Sequence, residues 1–306
     1  MINILCFRNS RLGDFLISVP TLKLIRNQNK NCKIYYLSDR SEIYKSLPKY
    51  LGKEKIVDQF IFYENNFFSI IKLFFLLKTF NFKTFYYLQE KSSFYRELRD
   101  YIFFSILNFD KKYGFFKKKR NYKKFNETLQ IIYRTNENIS KNEIYDLLKI
   151  KLKKDKPHFN FKYITISIGG FSQPKLWRID YWTILLKLIL SNFDYKIIIL
   201  GTSKDKKNAN LLCSINNKKI MSLCGKTNLD ELLNLIKFSK THITNDNGSM
   251  HAATLFQKKT ICLFNNHDSI GKWHPLNKNA IILRNNNGIN FIKPTKVFIK
   301  LQKILF

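Results

Sequence analysis

Short apolar runs alternate with longer amphipathic stretches along most of this chain, and this alternation limits its fold more than any other feature. Apolar runs of about four to eight residues are typical of buried strands, and the stretches between them have the length and period of helices. When strands and helices alternate, the strands lie side by side in a parallel sheet that helices cover. The pattern therefore predicts an α/β protein with doubly wound parallel sheets.

The alternation is interrupted once, which indicates two domains. The strands predicted before the interruption are residues 2–7, 33–37, 56–62 and 84–88, and the helices are 14–26, 67–80 and a stretch from a cap at Ser92 or Ser93 to Leu107. From Asp110 to about Pro157 the sequence is rich in Lys, Tyr and Asn and indicates two helices. Strands are then predicted at 163–168, 196–200, 219–223, 241–244 and 260–264. We expect domains at 1–157 and 158–306, and the last helix, 295–306, could pack back on the first domain.

Glycine is scarce, with 10 residues in 306, so its positions are informative. Gly13, Gly169, Gly170, Gly201 and Gly248 each follow a predicted strand at or near a helix start. Turn chemistry alone could explain any one of them. Five at equivalent places favour a ligand cleft between two sheet edges, because ligands of open α/β sheets bind at the carboxyl ends of the strands. The chain has no GxGxxG after its first strand and no GxxxxGK[ST] sequence, which disfavours dinucleotide binding and P-loop chemistry.

The chain is strongly basic, with 54 Lys and Arg against 22 Asp and Glu. Such a charge attracts nucleic acid, acidic lipid or phosphorylated substrates without selecting among them. Residues 111–125 interleave basic and aromatic side chains, and three interpretations stay open: a solvated face, a membrane-docking segment and a nucleic-acid site. No nucleic-acid-binding module accompanies the charge, so we do not expect a nucleic-acid partner.

Cysteine usage and apolar runs bear on the compartment. The five cysteines, at positions 6, 32, 213, 224 and 262, lack a CxxC spacing and mostly lie in predicted strands. We expect buried free thiols, as in a reducing cytoplasm. The N-terminus lacks the features of a signal peptide, and the most apolar stretch, 67–77, is interrupted by Lys72 and is too short to span a bilayer. These features predict a soluble or peripheral protein.

The strongest chemical signal is the segment 241–256, where a predicted strand leads through a polar turn into a helix that begins at Gly248 or Ser249. A helix N-terminus offers unpaired N–H donors and partial positive charge, which suit a diphosphate. His251 could donate to a phosphate or ribose oxygen, and Asp246 could accept from a ribose hydroxyl or brace the turn. The alternative is that Asp246 is a helix cap and His251 an ordinary polar helix residue.

Two further segments follow strands in the same way. After the strand at 163–168, a loop with Gly170 and Ser172 leads to Lys175, which could neutralise a departing nucleotide diphosphate or be an ordinary surface lysine. After the first strand come Arg11 and Asp14. Asp14 could be an acid that the helix dipole stabilises, and its place at the sheet edge makes it the candidate general base.

Together these segments resemble the heptosyltransferase family, glycosyltransferase family 9 of lipopolysaccharide core assembly. Its opening pattern, R-x-x-x-x-G-D-x-x-x-x-x-P, is matched by Arg8, Gly13, Asp14 and Pro20. Its K-x-W is matched by Lys175 and Trp177, and its G-K-T-x-L-x-E by residues 225–231. Its D-[ST]-G-x-x-H-x-A is matched by Asp246, Gly248, His251 and Ala253. The four patterns occur in the family's order and cover most of the chain.

The resemblance implies a GT-B architecture, in which two Rossmann-like domains face a central cleft, the first binding the acceptor and the second the donor. It implies an inverting, metal-independent transfer with Asp14 as base, and with Lys175 and His251 holding the diphosphate. The substrate-binding residues that we expect are Arg11, Gly13, Gly170, Ser172, Gly201, Asp246, Asn247 and Gly248. The expected donor is a nucleotide sugar, foremost ADP-heptose, without a further cofactor.

The resemblance also implies an acceptor of lipopolysaccharide core or another lipid-linked saccharide, with the protein peripheral on the anionic cytoplasmic face of the inner membrane. Two alternatives remain: another nucleotide-sugar transferase of surface-polysaccharide synthesis, and a catalytically silent binding protein of the same fold. Asn247 replaces the family's Thr or Ser, and the segment 263–268 lacks its usual Gly-Pro. The spacing of His267, Asp268 and His274 fits no standard ligand pattern, so we expect no metal.

Overall fold

The computed structural model describes residues 2–39, 49–51, 53–90, 93–116, 126–153, 155–170, 172–266 and 271–306. The chain divides into two compact units, Met1–Lys151 and Leu152–Phe306. Each unit is built on a parallel sheet, which confirms the predicted α/β class. The predicted boundary after residue 157 lies a few residues beyond this division.

The first domain alternates strands and helices as predicted. Its strands are β1 (Ile2–Phe7), β2 (Cys32–Asp39), β3 (Tyr50–Leu51), β4 (Glu54–Lys55), β5 (Gln59–Tyr63), β6 (Thr84–Tyr87) and β7 (Lys111–Tyr113). Its helices are α1 (Leu12–Gln28), α2 (Phe67–Thr79), α3 (Phe94–Ser105), α4 (Glu127–Thr135) and α5 (Lys141–Leu148). Five strands form a parallel sheet in the order β5-β2-β1-β6-β7, and β3 and β4 form a separate antiparallel pair.

The second domain also alternates strands and helices, and its parallel sheet is larger. Its strands are β8 (Tyr163–Ser167), β9 (Lys196–Leu200), β10 (Ile220–Ser222), β11 (His242–Asn245), β12 (Thr260–Phe264) and β13 (Ala280–Arg284). Its helices are α6 (Ile179–Asn192), α7 (Lys206–Cys213), α8 (Leu229–Phe238), α9 (Gly248–Thr254) and α10 (Pro294–Leu305). The six strands are parallel, in the order β10-β9-β8-β11-β12-β13. β8 and β11 are therefore central neighbours.

Each sheet is covered by apolar faces of its own helices. In the first domain, Leu73 and Leu77 of α2 and Phe104 of α3 pack on the same sheet face, while α4 and α5 contact α1. In the second domain, α10 contacts α6, and its apolar side chains join the core there; they are Val297, Phe298, Leu301 and Ile304. The packing of this helix on the first domain remains a prediction.

All nine strands predicted from the alternation are present, with ends shifted by up to three residues. The two-residue strands β3 and β4 and the edge strands β7 and β13 were not predicted. β7 carries two lysines on the edge of its sheet, so it has no apolar run to recognise. β13 is also an edge strand, and its apolar run, Ala280–Leu283, is short. The prediction of buried free thiols is confirmed for four of the five cysteines; Cys213 is half-buried.

Motif residues can have purely structural roles, as the segment 225–231 shows. Glu231 and the helix cap Asn228 bond reciprocally, with 2.8 Å from Asn228 N to Glu231 Oε2 and 2.9 Å from Glu231 N to Asn228 Oδ1. Gly225 has φ +67°, donates to the carbonyl of Gly201, and leaves no room for a methyl group, which would lie 3.0 Å from the backbone of Ser203.

We therefore expect Gly225→Ala to lower the free energy of unfolding by about 1–3 kcal/mol, because alanine is strained at positive φ and would press on a neighbouring backbone. Urea denaturation measures this change. Lys226→Ala, which alters the exposed neighbouring side chain, is the control and should stay within about 0.5 kcal/mol of wild type. Equal stability of both variants would contradict the strain argument.

Candidate functional site

Two loops lie side by side at the carboxyl edge of the second sheet. The parallel register of β8 and β11 pairs Ser167 with Thr244 at the ends of these strands. The loop after Ser167 and the turn after β11 therefore meet, although they are more than seventy residues apart in sequence. This register brings together the two segments that the sequence marked for nucleotide binding.

An ion pair joins the two loops. Lys175 ends a short 3₁₀ turn, Gln173–Lys175, that follows Ser172, and its Nζ donates to Asp246 Oδ2. The Asp246 side chain is buried, and that of Lys175 is 23% exposed. Lys175 is therefore a partly buried lysine held at the sheet edge rather than an ordinary surface lysine. Asp246 braces the turn through it.

Asn247 links the same loops through its amide. Its Oδ1 accepts from Ser249 N at 2.9 Å, which caps α9, and its Nδ2 donates to the Gly169 carbonyl at 2.8 Å and to Ser167 Oγ at 3.1 Å. A hydroxyl at this position has a single donor and could not donate to both Gly169 and Ser167. The departure from the family pattern is thus accommodated by contacts that bridge β8 and α9.

α9 begins at Gly248 as predicted, and some of its N-terminal N–H groups already have partners within the protein. It has only seven residues. Ser249 N–H is bonded to the Asn247 side chain, and Met250 N–H is bonded to the Asn247 carbonyl at 3.2 Å. Two donors that we expected to face a diphosphate are therefore used within the protein. His251 lies half-buried further along α9.

Sequence reasoning missed His242, which lies at the centre of a buried polar network. Its Nδ1 is 3.0 Å from Thr165 Oγ1 on β8, and its Nε2 is 2.9 Å from Ser249 Oγ on α9. Burial lowers the pKa of His242 to about 3, so the imidazole is neutral. Polar residues inside strands that should be apolar, Thr165 and Thr244 with His242, were the signal that could have revealed it.

Glycines beside this site are explained by packing. A methyl group on Gly169 would lie 2.7 Å from both carboxylate oxygens of Asp205, and one on Gly201 would lie 2.7 Å from Oδ2. Asp205 accepts from Thr202 N and Oγ1 at 2.7 and 2.9 Å, which fixes the turn after β9. A methyl group on Gly170 would meet Leu176 at 3.0 Å. A side chain at any of these three positions would therefore press on its neighbours, most severely at Gly169 and Gly201.

A buried charge cluster lies at the carboxyl edge of the first sheet. Arg8, at the end of β1, donates through Nη1 to the Leu88 carbonyl at 2.6 Å and contacts Glu127 Oε1 at 3.3 Å. Its Nη2 lies 3.3 Å from Asp14 Oδ1. Asp14 Oδ2 accepts from Arg11 N at 3.3 Å, while the side chain stays one-third exposed. The sequence identified Arg8 only as a family match; the structure makes it the partner of the candidate base.

Glu127 and Arg134 complete the cluster from α4. Arg134 Nη2 lies 3.7 Å from Glu127 Oε1, and both side chains are buried. Burial opposes the charge on Arg8, but attraction to Glu127 and Asp14 outweighs it and raises the pKa of Arg8. For Arg134 the effect of burial is larger than the attraction to Glu127, and its pKa is lowered. Within the described residues, Glu127 Oε2 makes no hydrogen bond. Only Asp14 in this cluster is substantially open to solvent.

A model of glycosyltransferase family 9 (heptosyltransferase) matches residues 88–297, more than half of the chain. The chain belongs to this family. The match contains Lys175, Asp246 and His251 and begins after Asp14. The chain is 31% identical over 175 residues to lipooligosaccharide heptosyltransferase 2 of Campylobacter jejuni. These aligned residues are 53% of this chain and 54% of the relative. The aligned region thus spans about half the length of that curated family member.

Solved structures of family 9 proteins share the fold along the whole chain. The E. coli ADP-heptose lipopolysaccharide heptosyltransferase II has a TM-score of 0.69 at 19% identity and covers 99% of this chain and 98% of its own. E. coli heptosyltransferase WaaC with ADP has a TM-score of 0.74 at 14% identity, and the match covers 99% of this chain and 100% of WaaC. These similarities confirm the predicted GT-B fold class.

The metal-independence that we expect remains a prediction for this family 9 chain. The residues that the structure describes contain no group of three or more His, Cys, Asp or Glu side chains that could hold a metal ion. His267 and Asp268 lie outside the described residues, and the ring of His274 packs on Phe264 at 4.8 Å. A more distant neighbour, the iron-containing dodecameric glycosyltransferase TibC of E. coli, has a TM-score of 0.56 at 11% identity and covers 99% of this chain and 78% of its own.

We expect Arg8→Met to lower the free energy of unfolding by about 3–5 kcal/mol, because it leaves the buried carboxylate of Glu127 with poorer compensation. The double variant Arg8→Met/Glu127→Gln should be more stable than Arg8→Met, since it also removes the stranded charge. Urea denaturation measures both, with Arg96→Met, at an exposed position, as control. Strictly additive losses would show that the two side chains do not interact.

The network around His242 predicts a loss of stability in acid. Its folded-state pKa lies below that of an exposed histidine, so the unfolded chain binds the additional proton, and stability falls as the pH drops below about 6.5. Because the unfolded state binds this proton, the free energy of unfolding should fall by about 2 kcal/mol when the pH is lowered from 7 to 5. Denaturation at both pH values should show His242→Gln losing this part of the dependence and His158→Gln, at an exposed position, retaining it. An unchanged pH dependence in His242→Gln would refute the assignment.

Proposed function

We propose that this chain is an inverting glycosyltransferase that moves heptose from ADP-heptose onto lipopolysaccharide core or a similar lipid-anchored saccharide. The observation that carries the proposal is the ion pair of Lys175 and Asp246, which joins two family motifs at the edge where α/β sheets bind ligands. The names of the C. jejuni relative and of the E. coli neighbours, one of them solved with ADP, support this donor and acceptor class.

The second domain would hold the donor. Lys175 would offer positive charge to the diphosphate, and Asp246 keeps that ammonium group in place before the donor arrives. His251 and the turn at Asn247 and Gly248 would contact the same nucleotide. Because two N–H groups of this turn are already bonded, Lys175 must supply more of the charge stabilisation than helix-end donors do.

The first domain would supply the base. Asp14 is the exposed carboxylate of its cluster, and the contacts with Arg8 and Arg11 N hold it at two oxygens. It would take the proton from the acceptor hydroxyl while that oxygen attacks the anomeric carbon. The bond from the anomeric carbon to the diphosphate breaks in the same displacement, and the nucleotide diphosphate leaves with the electron pair. The product has inverted configuration.

The proposed place of action is the anionic cytoplasmic face of the inner membrane, where a lipid-anchored acceptor would be reached from the surface. None of the helices described is both long and apolar enough to cross a bilayer. With 54 basic residues against 22 acidic ones, the chain has the charge that such a surface attracts. Binding to nucleic acid is not part of the proposal, since the charge alone would support it.

The test is sugar transfer followed by mass spectrometry, with ADP-heptose, UDP-sugars and GDP-sugars as donors and deacylated lipopolysaccharide core as acceptor. We expect ADP-heptose to be used and Asp14→Asn to lower kcat by several orders of magnitude, because the amide cannot take the proton. Asp39→Asn, which changes a carboxylate at the end of neighbouring β2, is the matched control. ADP affinity, measured by calorimetry, should be the same in Asp14→Asn as in wild type.

Each outcome has a distinct meaning. Transfer from a UDP- or GDP-sugar instead of ADP-heptose would support the transferase activity and show that the proposed donor is wrong. ADP binding without transfer from any donor would favour a silent binding protein of the same fold. Equal loss in Asp14→Asn and Asp39→Asn would remove the special role of Asp14.

A further inference from the structure

The outward faces of α2 and α3 are apolar, which is unusual for helices at a protein surface. Helices that cover a sheet normally turn polar residues to solvent. Here six aromatic or aliphatic side chains are between 56% and 81% exposed; they are Phe67, Phe68, Phe75, Phe94, Tyr95 and Ile102. We call these six the aromatic face. The inward side chains Leu73, Leu77 and Phe104 belong to the core, and the aromatic face lies outside it.

The two helices form one continuous surface. Their inward residues belong to the same core cluster. Between the helices, the rings of Phe74 and Phe103 are in edge contact with centroids 6.2 Å apart. Phe94 extends the surface to Phe116, whose ring lies 5.9 Å away. A contiguous apolar surface of this kind marks an interaction site more often than scattered exposed residues do.

The aromatic face borders the edge of the sheet that carries Asp14. α2 follows β5 and α3 follows β6, so both helices begin at the carboxyl edge. The most exposed aromatic residues lie in their first turns. Tyr63, at the end of β5, donates to Asn9 Oδ1 at 3.2 Å and thereby ties this edge to the loop before Asp14.

The charges on these helices favour an anionic partner. α2 contains Lys72 and Lys78 and no acidic residue. The acids of α3 are buried: Glu97 accepts from Phe116 N at 2.7 Å, and Asp100 accepts from Tyr87. Exposed ionised groups of the two helices are therefore basic. A symmetric contact with a second copy would place these bases against one another, whereas lipid phosphates would neutralise them.

We propose that the aromatic face docks on an anionic lipid bilayer. Aromatic rings of amphipathic surfaces enter the interfacial layer while neighbouring lysines meet lipid phosphates. Docking would hold the edge with Asp14 at the membrane surface, where a lipid-anchored acceptor presents its sugar. The presentation of the acceptor to Asp14 rests on the proposed function, whereas the binding of the aromatic face to lipid does not.

The test is co-sedimentation with vesicles of phosphatidylglycerol and phosphatidylethanolamine, with phosphatidylcholine vesicles in parallel. The full chain should bind the anionic vesicles, and the triple variant Phe68→Ser/Phe75→Ser/Tyr95→Ser should bind at least about tenfold more weakly. Ile184→Ser/Leu211→Ser/Ile299→Ser removes three side chains that are 44–56% exposed in the second domain and should bind like wild type. Lys72→Ala/Lys78→Ala should weaken binding mainly at low salt.

Unchanged vesicle binding by the aromatic triple variant would overturn the proposal, as would equal losses in both triple variants. Concentration-dependent dimers that only the aromatic variant abolishes, seen by analytical ultracentrifugation without lipid, would assign the face to a second copy instead. Transfer to a deacylated, soluble acceptor should persist in the aromatic variant. Failure of transfer in wild type with lipid binding intact would count against the proposed function and leave the docking surface standing.

Discussion

The parallel pairing of β8 with β11 is the constraint on which the second domain's site depends. It places Ser167 beside Thr244 and makes two distant loops neighbours. Each further contact then connects the same two elements: Asn247 reaches the Gly169 carbonyl, His242 reaches Thr165, and Lys175 reaches Asp246. Because these groups are buried or partly buried, each needs its partner. The site is therefore organised before any ligand arrives, which reduces the ordering that binding requires.

The first domain uses buried charge for a similar purpose. Arg8 and Arg134 face Glu127 and Asp14, so two positive charges are matched by two negative ones inside the domain. Such an arrangement contributes little net stability, but it restricts geometry, since Glu127 Oε1 and Asp14 Oδ1 must each meet an arginine. Asp14 is the member left open to solvent. Its neighbours hold the carboxylate, and its exposure lets a substrate reach it, which is what a general base requires.

The surface of the first domain differs between the two faces of its sheet. One sheet face is closed by α1, α4 and α5, and the other by α2 and α3, whose outward sides remain apolar. The strong positive charge of the chain accounts for long-range attraction to an anionic surface, while the aromatic face defines where contact would be made. The basic segment 111–125, considered from the sequence, lies largely outside the described residues. α2 and α3 instead provide a described candidate surface.

The sequence by itself determined the α/β class, two domains, nine of the strands and the motif residues at strand ends, because periodicity and glycine placement are local properties of the chain. It missed the edge strands β7 and β13 and the two-residue strands β3 and β4, because the apolar run of each is short or absent. Only the tertiary structure decided which loops meet, because strand order is set by packing over long sequence distances. It gave Arg8, Glu127 and His242 their partners and placed Gly169 and Gly201 in close packing against Asp205. Those roles depend on burial and on atoms far along the chain, which no local pattern records.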